Sequence, residues 1–442
     1  MTTMPPDGNL WFASANGAGR QPDAHARPSA TEGAHVRVEQ RSAPWGGPPY
    51  AQPTEPSPAR YHRPALHPQD AALLRRSLDE LAPVASEATG YFYSLLFVRN
   101  PELRSLFPLA MDVQRDRLFH ALLTAAGLAE HPARFTGFLS QLGRGHRKYG
   151  TSPDQYPVFG ECLLAAVSRW APLSWDAATQ SAWISAYTAI SQTMIDAAAE
   201  EARHAPAWWH AEIVDHRRRT PDVAEITLRT DRGYPFRAGQ YAPVETPWWP
   251  RVWRHYSFAS AQRGDGLLTF HVKAVAGGWV STSLVRRAHV GDVLRLGAPS
   301  GTMTVDHGDE SGLLCLGGGT GIAPIRALIE EIAVHGGRRP VEVFYGAHNR
   351  DDLYDLAELR IWEQRLGWLA VRPVIAAPPG SNGALPGLLP DAVRRFGPWH
   401  AFDGYLAGPP GLIRSGAEAL LWSGIPQGRI RHDAVAELTG AG

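Results

Sequence analysis

The sequence predicts three folded modules in a row: an all-helical unit, a small antiparallel β-barrel, and an α/β unit with a mostly parallel sheet. Three observations point there. Apolar residues recur at helical spacing from Ala71 to about His204. The period drops to two between His210 and about Val305. After Glu310 apolar strands alternate with helical patterns. A chain of 442 residues is long enough for about three domains at ~150 residues each.

Taken in order, residues 1–68 are rich in Pro, Gly, Ala, Ser and His and show neither period. Such a stretch buries too little apolar surface to offset its ordering entropy, so a disordered N-terminal extension is expected. Its Trp11, Phe12 and Trp45 are candidate anchors for an unknown partner of this tail. The helical unit is expected over 69–204. Leu73, Leu74, Leu78, Leu81 and Val84 share one helical face, and Tyr91–Phe97 continues until Asn100-Pro101 stops it. Gln114–Leu128, Pro132–Gly145, Pro153–Trp170 and Trp175–Ala202 follow, with Thr151 or Ser152 capping the third of these. The barrel is expected over 208–308, with strands at His210–His216, Val223–Leu228, Gln240–Glu245, Arg254–Ala259, Leu267–Val275 and Val293–Leu296. One helix, about Val280–Ala288, interrupts it. The α/β unit is expected over 311–442. Its strands are Leu313–Leu316, Val341–Gly346, Leu369–Ile375, Gly404–Ala407 and Arg429–Val435, and its helices Ala323–Val334, Leu353–Leu366 and Pro410–Ser423.

Composition sets bounds. Hydrophobic residues make up 44% and charged residues 19%, which suits real cores. Lys+Arg 43 balance Asp+Glu 43, so neither nucleic acid nor an acidic membrane is expected as a partner. Cys162 and Cys315 each sit in an apolar run and read as buried small hydrophobes, which fits a reducing cytoplasm. No apolar stretch approaches ~18 residues, so no membrane span is expected. No basic region followed by an apolar one opens the chain, so no signal peptide is expected.

The chemistry starts at Arg254-His255-Tyr256-Ser257-Phe258-Ala259-Ser260. Arg offers a rigid fork of donors to a phosphate, Tyr a flat face with a hydroxyl, and Ser a small donor and acceptor. A flavin dinucleotide, anionic at one end and planar at the other, suits them; an ordinary strand with a surface arginine is the plain alternative. Downstream, Gly277-Gly278-Trp279-Val280-Ser281 opens a helix and offers amides and a hydroxyl to a phosphate. Gly317-Gly318-Gly319-Thr320-Gly321-Ile322-Ala323-Pro324 stands between an apolar strand and a helix, where glycines admit a pyrophosphate to the helix N-terminus.

These three motifs, in this order, resemble the ferredoxin-NADP⁺ reductase-like superfamily from about Trp208 to Val435. The resemblance implies that Arg254, Tyr256 and Ser257 hold FAD, with Ser257 near the reactive edge of the flavin. It implies Gly278, Val280 and Ser281 at the diphosphate. Gly319, Thr320, Gly321 and Pro324, joined by Gly408 and Pro409, would face the nicotinamide dinucleotide. Asp433 keeps the acidic residue that such chains place over the flavin, but Ala434-Val435 replaces the usual aromatic lid. Asp351 and Asp352 beside Arg350 would repel a 2′-phosphate, so NADH is favoured over NADPH.

In the helical unit Tyr93, Asn100-Pro101-Glu102-Leu103, Phe107, Gln114, Leu118, His146, Tyr156 and Glu200 form a series that resembles the globin domain of flavohemoglobins. A lone histidine is ordinarily structural, but Gly145-His146 ends a helix where an imidazole can approach iron. The resemblance implies His146 as proximal ligand of haem b, with Tyr156 and Glu200 hydrogen-bonded behind it. It implies Tyr93 and Gln114 on the distal side, and Phe107 and Leu118 packed on the haem. Gly145 stands where relatives often carry a lysine near a propionate.

The whole then resembles a flavohemoglobin, which implies nitric oxide dioxygenation: NO and O₂ become nitrate with electrons passed from NAD(P)H through FAD to haem. Two rival readings are a haem-based O₂ or NO sensor and a flavin reductase serving another acceptor, its globin degenerate.

Overall fold

The structure, a computed structural model, describes residues 67–335, 338–376 and 383–433. The expected N-terminal extension up to residue 66 lies outside them, as do Ala434 and Val435 of the expected last strand.

Six helices build the first module: α1 (Pro68–Leu81), α2 (Ala85–Arg99), α3 (Asp112–Leu128), α4 (Pro132–His146), α5 (Tyr156–Trp170) and α6 (Ala177–Ala202). Helix α1 begins at Pro68, inside the range expected to be disordered, because Pro suits a first turn and the His67 ring accepts the Gln69 amide. Pro83 breaks the helical run into α1, a short 3₁₀ turn (Ala82–Val84) and α2. A second 3₁₀ segment, Pro101–Leu106, follows α2. Ser152 and Gln155 form a reciprocal capping box ahead of α5. Leu78, Leu96, Phe135, Leu139 and Trp183 are buried together. The Trp183 indole N–H donates to Ser77 Oγ at 2.9 Å, so α6 is pinned on α1 by a satisfied buried bond.

The second module is a six-stranded antiparallel sheet of β1 (Trp209–Arg218), β2 (Val223–Thr230), β3 (Tyr241–Glu245), β4 (Trp253–Ser257), β5 (Leu267–Lys273) and β6 (Val293–Leu296), with α7 (Trp279–Arg286) after β5. Strand order is β4-β3-β6-β1-β2-β5. A bridge from Phe258 to Phe270 ties the two outer strands and closes the barrel. Ile213, Ile226, Leu228, Phe258 and Phe270 fill it.

The third module contains β7 (Gly312–Gly318), α8 (Ile322–Val334), β8 (Val341–Ala347), α9 (Leu356–Arg365), β9 (Leu369–Ile375), β10 (Leu385–Pro386), α10 (Leu389–Arg394), β11 (Phe402–Ala407), α11 (Pro410–Trp422) and β12 (Ile430–His432). The sheet runs β10-β9-β8-β7-β11-β12, all parallel. Leu313 and Cys315 face the core shared with α8 and α9, while Leu314 and Leu316 face that of α10 and α11. This alternation covers both faces, as a parallel sheet requires. Strand β10 and helix α10 were not anticipated: Pro386, Gly387 and Pro390 hide them in a turn-like composition.

A buried ion cluster joins the second and third modules. Arg219, just past β1, reaches Glu225 at 2.7 Å and Glu358 at 2.5 Å. Arg326 of α8 binds Asp355 at 2.9 Å and Glu358 at 2.5 Å. Burial pushes the Asp355 carboxyl up to about 6 against the pull of Arg326. Burial would also raise Glu358, but hydrogen bonds and charge from Arg326 and Arg219 outweigh it and hold the carboxyl down to about 2. A second joint is Glu331, also buried, which accepts the Ala238 amide at 3.0 Å and meets His307 at 2.9 Å.

The first and second modules meet at Arg251, whose φ of 66° is left-handed although it is not glycine. Its amide donates to Glu245 Oε1 at 2.5 Å. Its guanidinium donates to the carbonyls of Ser105 at 3.0 Å and Tyr149 at 3.1 Å.

Removing Arg326 takes from Asp355, which is fully buried, its nearer cation at 2.9 Å and leaves only Arg219 at 3.4 Å. Arg326→Met is therefore expected to lower the stability of the reductase half by about 3–5 kcal/mol in denaturant unfolding. The depressed Glu358 carboxyl gives stability that is present above its ordinary 4.5 and lost as pH falls through about 2. That acid limb should shrink in the same variant.

Candidate functional site

In the helical module, α2 carries Tyr93, the turn after it Phe107, and α3 both Gln114 and Leu118. The phenol of Tyr93 donates to the backbone carbonyl of Gln114 at 3.4 Å. Phe107 meets the Tyr93 ring edge-on at 5.5 Å, and Leu118 and Tyr156 pack against the same core. Burial pushes the Tyr93 pKa up, only partly offset by the Gln114 side chain and Arg115, so the phenol keeps its proton and remains a donor.

Helix α4 ends on His146. Gly143, one turn earlier, lies so close to α6 that a Cβ there would sit 2.6 Å from the Met194 Cα. The glycine therefore sets how near the end of α4 comes to α6. The His146 Nδ1–H donates to the Leu142 carbonyl at 2.7 Å. This fixes the tautomer and leaves the Nε2 lone pair without a partner among the described residues. Burial lowers the imidazole pKa, so the ring stays neutral. A neutral, oriented imidazole with one open nitrogen is what an iron ligand requires, and haem fits here.

The expected grouping of Tyr156 and Glu200 behind His146 is not assembled. The Glu200 carboxylate is paired with Arg203 and, at 3.1 Å, with His204. These partners lie three and four residues on along the chain. The Tyr156 phenol bonds neither residue; its backbone carbonyl instead accepts the Tyr187 hydroxyl at 2.7 Å. The Leu142 carbonyl takes the place that a carboxylate was expected to fill.

In the barrel, β4 displays Arg254, Tyr256 and Ser257. Arg254 donates to the Trp253 carbonyl at 2.9 Å and pairs with no carboxylate among the described residues, so a phosphate suits its remaining donors. Ser257 lies opposite Tyr241 on β3. Asp433 accepts the Thr302 amide at 2.9 Å, and burial followed by the Asp433 charge pushes the Tyr241 pKa up to about 12. Ser257, Tyr241 and Asp433 thus converge. Gly277, at φ 72°, turns the chain into α7, and Gly278 caps it. The Val280 side chain is buried in the barrel core and the Ser281 hydroxyl donates to the Gly278 carbonyl at 3.2 Å, so these two offer backbone amides more than side chains.

In the third module the ends of the adjacent parallel strands β7 and β11 carry the two glycine segments. Gly319 adopts φ 56° and Gly408 φ 152°. A Cβ on Gly321 would strike the Ala407 carbonyl carbon at 2.5 Å, and one on Gly408 would lie 3.4 Å from the Gly318 Cα. Gly319, Thr320 and Gly321 therefore lie against Gly408 and Pro409, with Pro324 buried in the first turn of α8. A crevice beyond the carboxyl ends of parallel strands, with two helices starting there, fits a dinucleotide.

Tyr149, Lys148 and Trp253 escaped the sequence reading, and His255 entered it only as part of its motif. The Lys148 ammonium lies 5.4 Å from the Tyr149 ring and 5.6 Å from that of Trp253, across the module boundary. Burial, helped by Arg117, draws Lys148 down to about 8. Burial and then Lys148, Arg117 and Arg254 push His255 down to about 3. No spacing rule links residues 149 and 253.

Comparison with known proteins agrees with this division. A globin family model matches residues 90–194, an oxidoreductase FAD-binding domain 210–305 and an oxidoreductase NAD-binding domain 315–418. The reductase half is 31% identical over 219 residues to the ferredoxin–NAD(P)⁺ reductase component of a naphthalene 1,2-dioxygenase/salicylate 5-hydroxylase system from Ralstonia, covering 49% of this chain and 65% of that one. A Rhizobium meliloti flavohemoprotein is 28% identical over 375 residues, covering 78% of this chain and 91% of the relative. The fold matches a Malassezia yamatoensis flavohemoglobin crystallised with FAD and heme, with a TM-score of 0.68, 19% identity, and 83% and 99% of the two chains covered.

Because its Cβ would meet backbone, Gly321→Ala is expected to destabilise the third module by about 1–3 kcal/mol. It should also weaken NADH binding; thermal unfolding and NADH titration check the two effects.

Proposed function

We propose that this chain, a globin followed by FAD-binding and NAD-binding reductase domains and similar along most of its length to a flavohemoprotein, is a flavohemoglobin acting as an NAD(P)H-dependent nitric oxide dioxygenase. Two molecules of NO and two of O₂ become two nitrate ions and a proton while one NAD(P)H is oxidised to NAD(P)⁺. The observation that carries the reading is the pairing of a buried, protonated Tyr93 beside Gln114 with a neutral His146 whose Nε2 is open.

Bound FAD would supply the conversion of hydride into single electrons, and bound haem would supply the iron chemistry toward O₂. The residues place and stabilise. His146 holds iron through Nε2, with its ring fixed by the Leu142 carbonyl. Tyr93, with Gln114, donates to negative charge developing on the distal side, a preorganised role that costs no solvent reorganisation. Arg254 binds phosphate, Tyr256 offers its ring to the flavin, and Ser257, beside Tyr241 and Asp433, stands at the reactive edge. Gly319, Thr320, Gly321, Gly408 and Pro409 admit the nicotinamide dinucleotide. Asp351 and Asp352 at the end of β8 disfavour a 2′-phosphate, which supports NADH as the donor.

A second reading draws on the reductase half, whose relatives include a component of an oxygenase system, and on the unassembled Glu200. There the reductase serves another acceptor. NO-dependent NADH consumption separates the two.

Tyr93→Phe is expected to speed O₂ release and slow NO consumption, each by on the order of a hundredfold, with flavin reduction by NADH unchanged. Stopped-flow spectroscopy measures all three, and an unchanged O₂ release rate would remove Tyr93 from the mechanism. His146→Ala should yield protein with flavin absorption and no Soret band.

A further inference from the structure

We propose that Tyr149 and Trp253 form the route by which electrons cross from the flavin module to the globin iron, an inference that rests on the function proposed above. The His146 and Tyr149 rings are 6.3 Å apart, at 70°. Tyr149 and Trp253 are 6.5 Å apart, at 85°. Both are edge-to-face contacts, the arrangement in which the edge of one ring meets the face of the other. The series starts at the ligand of the iron and crosses the module boundary. It ends in β4, one residue before Arg254 and in the strand that carries Tyr256 and Ser257. Trp253 is buried at 4% exposure, and its indole N–H has no acceptor among the described residues.

With both groups bound, reduced flavin would give one electron to ferric iron, making it ferrous, and the second electron of each NADH would follow once O₂ and NO have returned the iron to the ferric state. Tyr149 and Trp253 lose no proton, break no bond and end as they began, because they serve as the medium through which the electron tunnels. Packed rings couple the two redox groups better than solvent across the same gap. The Lys148 ammonium, close to both rings, disfavours a positive charge on either of them. Neither ring is therefore oxidised as the electron passes.

The test uses the full-length protein loaded with haem and FAD. It is mixed anaerobically with NADH, and flavin bleaching and haem reduction are followed separately. Tyr149→Leu and Trp253→Leu should bleach flavin at the wild-type rate and reduce haem about tenfold more slowly or worse. Tyr149→Phe and Trp253→Phe should recover most of the wild-type rate, which a loss of hydroxyl or indole N–H alone would not permit. The ferric haem spectrum, which reports His146 ligation, should be unchanged throughout. In the cofactor-free chain the two leucine substitutions should be non-additive in thermal unfolding, since the rings touch. Additivity there would deny the contact, and leucine variants that keep pace with wild type, or phenylalanine variants as slow as leucine, would overturn the route alone. A wild-type protein whose haem stays ferric under NADH would overturn the function and the route together.

Discussion

Everything this chain does depends on holding three modules in one arrangement, and the strongest constraint on two of them is the ion cluster around Asp355. Arg219 comes from the barrel and Arg326 from α8, yet both reach Glu358, and Asp355 is fully buried between them. Charges taken out of water this far are tolerated only when each finds several partners in fixed geometry. The cluster therefore forms when the barrel and the parallel sheet are docked in one way and is costly in any other. Strand β4 and the crevice at the ends of β7 and β11 inherit their relation from it.

The helical module is held by a different logic. Its internal fit comes from close approach, as at Gly143 against α6, and from aromatic packing around Tyr93. Its docking to the barrel uses directional bonds from Arg251 and the contact of Lys148 with Trp253. The end of α4 thus has two duties. His146 looks into the helical module, while Lys148 and Tyr149, two and three residues on, look out to the barrel.

The modular fold was legible in the sequence because each module obeys its own short-range period. The glycine segments were legible because close backbone approach at strand ends leaves no other residue, and the structure brings Gly321 and Gly408 together for that reason. Tyr93, Phe107, Gln114 and Leu118 were legible as a series along adjacent helices. Glu200 was not placed well: its order along the chain suggested a partner for His146, but nearby Arg203 and His204 on its own helix claim the carboxylate. Tyr149, Trp253 and Tyr241 went unnoticed for a related reason. Their meaning comes from residues far along the chain or from another module, and no local pattern records that.

Arg251 has a consequence for how such a chain can change over time. On the globin side its acceptors are two main-chain carbonyls, not side chains. A carbonyl is present whatever residue occupies the position, so Ser105 and Tyr149 can be exchanged without erasing that part of the joint. The specificity of this one joint is concentrated on the barrel side, in one arginine and in Glu245, which steadies its left-handed backbone. So far as Arg251 is concerned, the globin side can drift in sequence while its seat on the reductase persists.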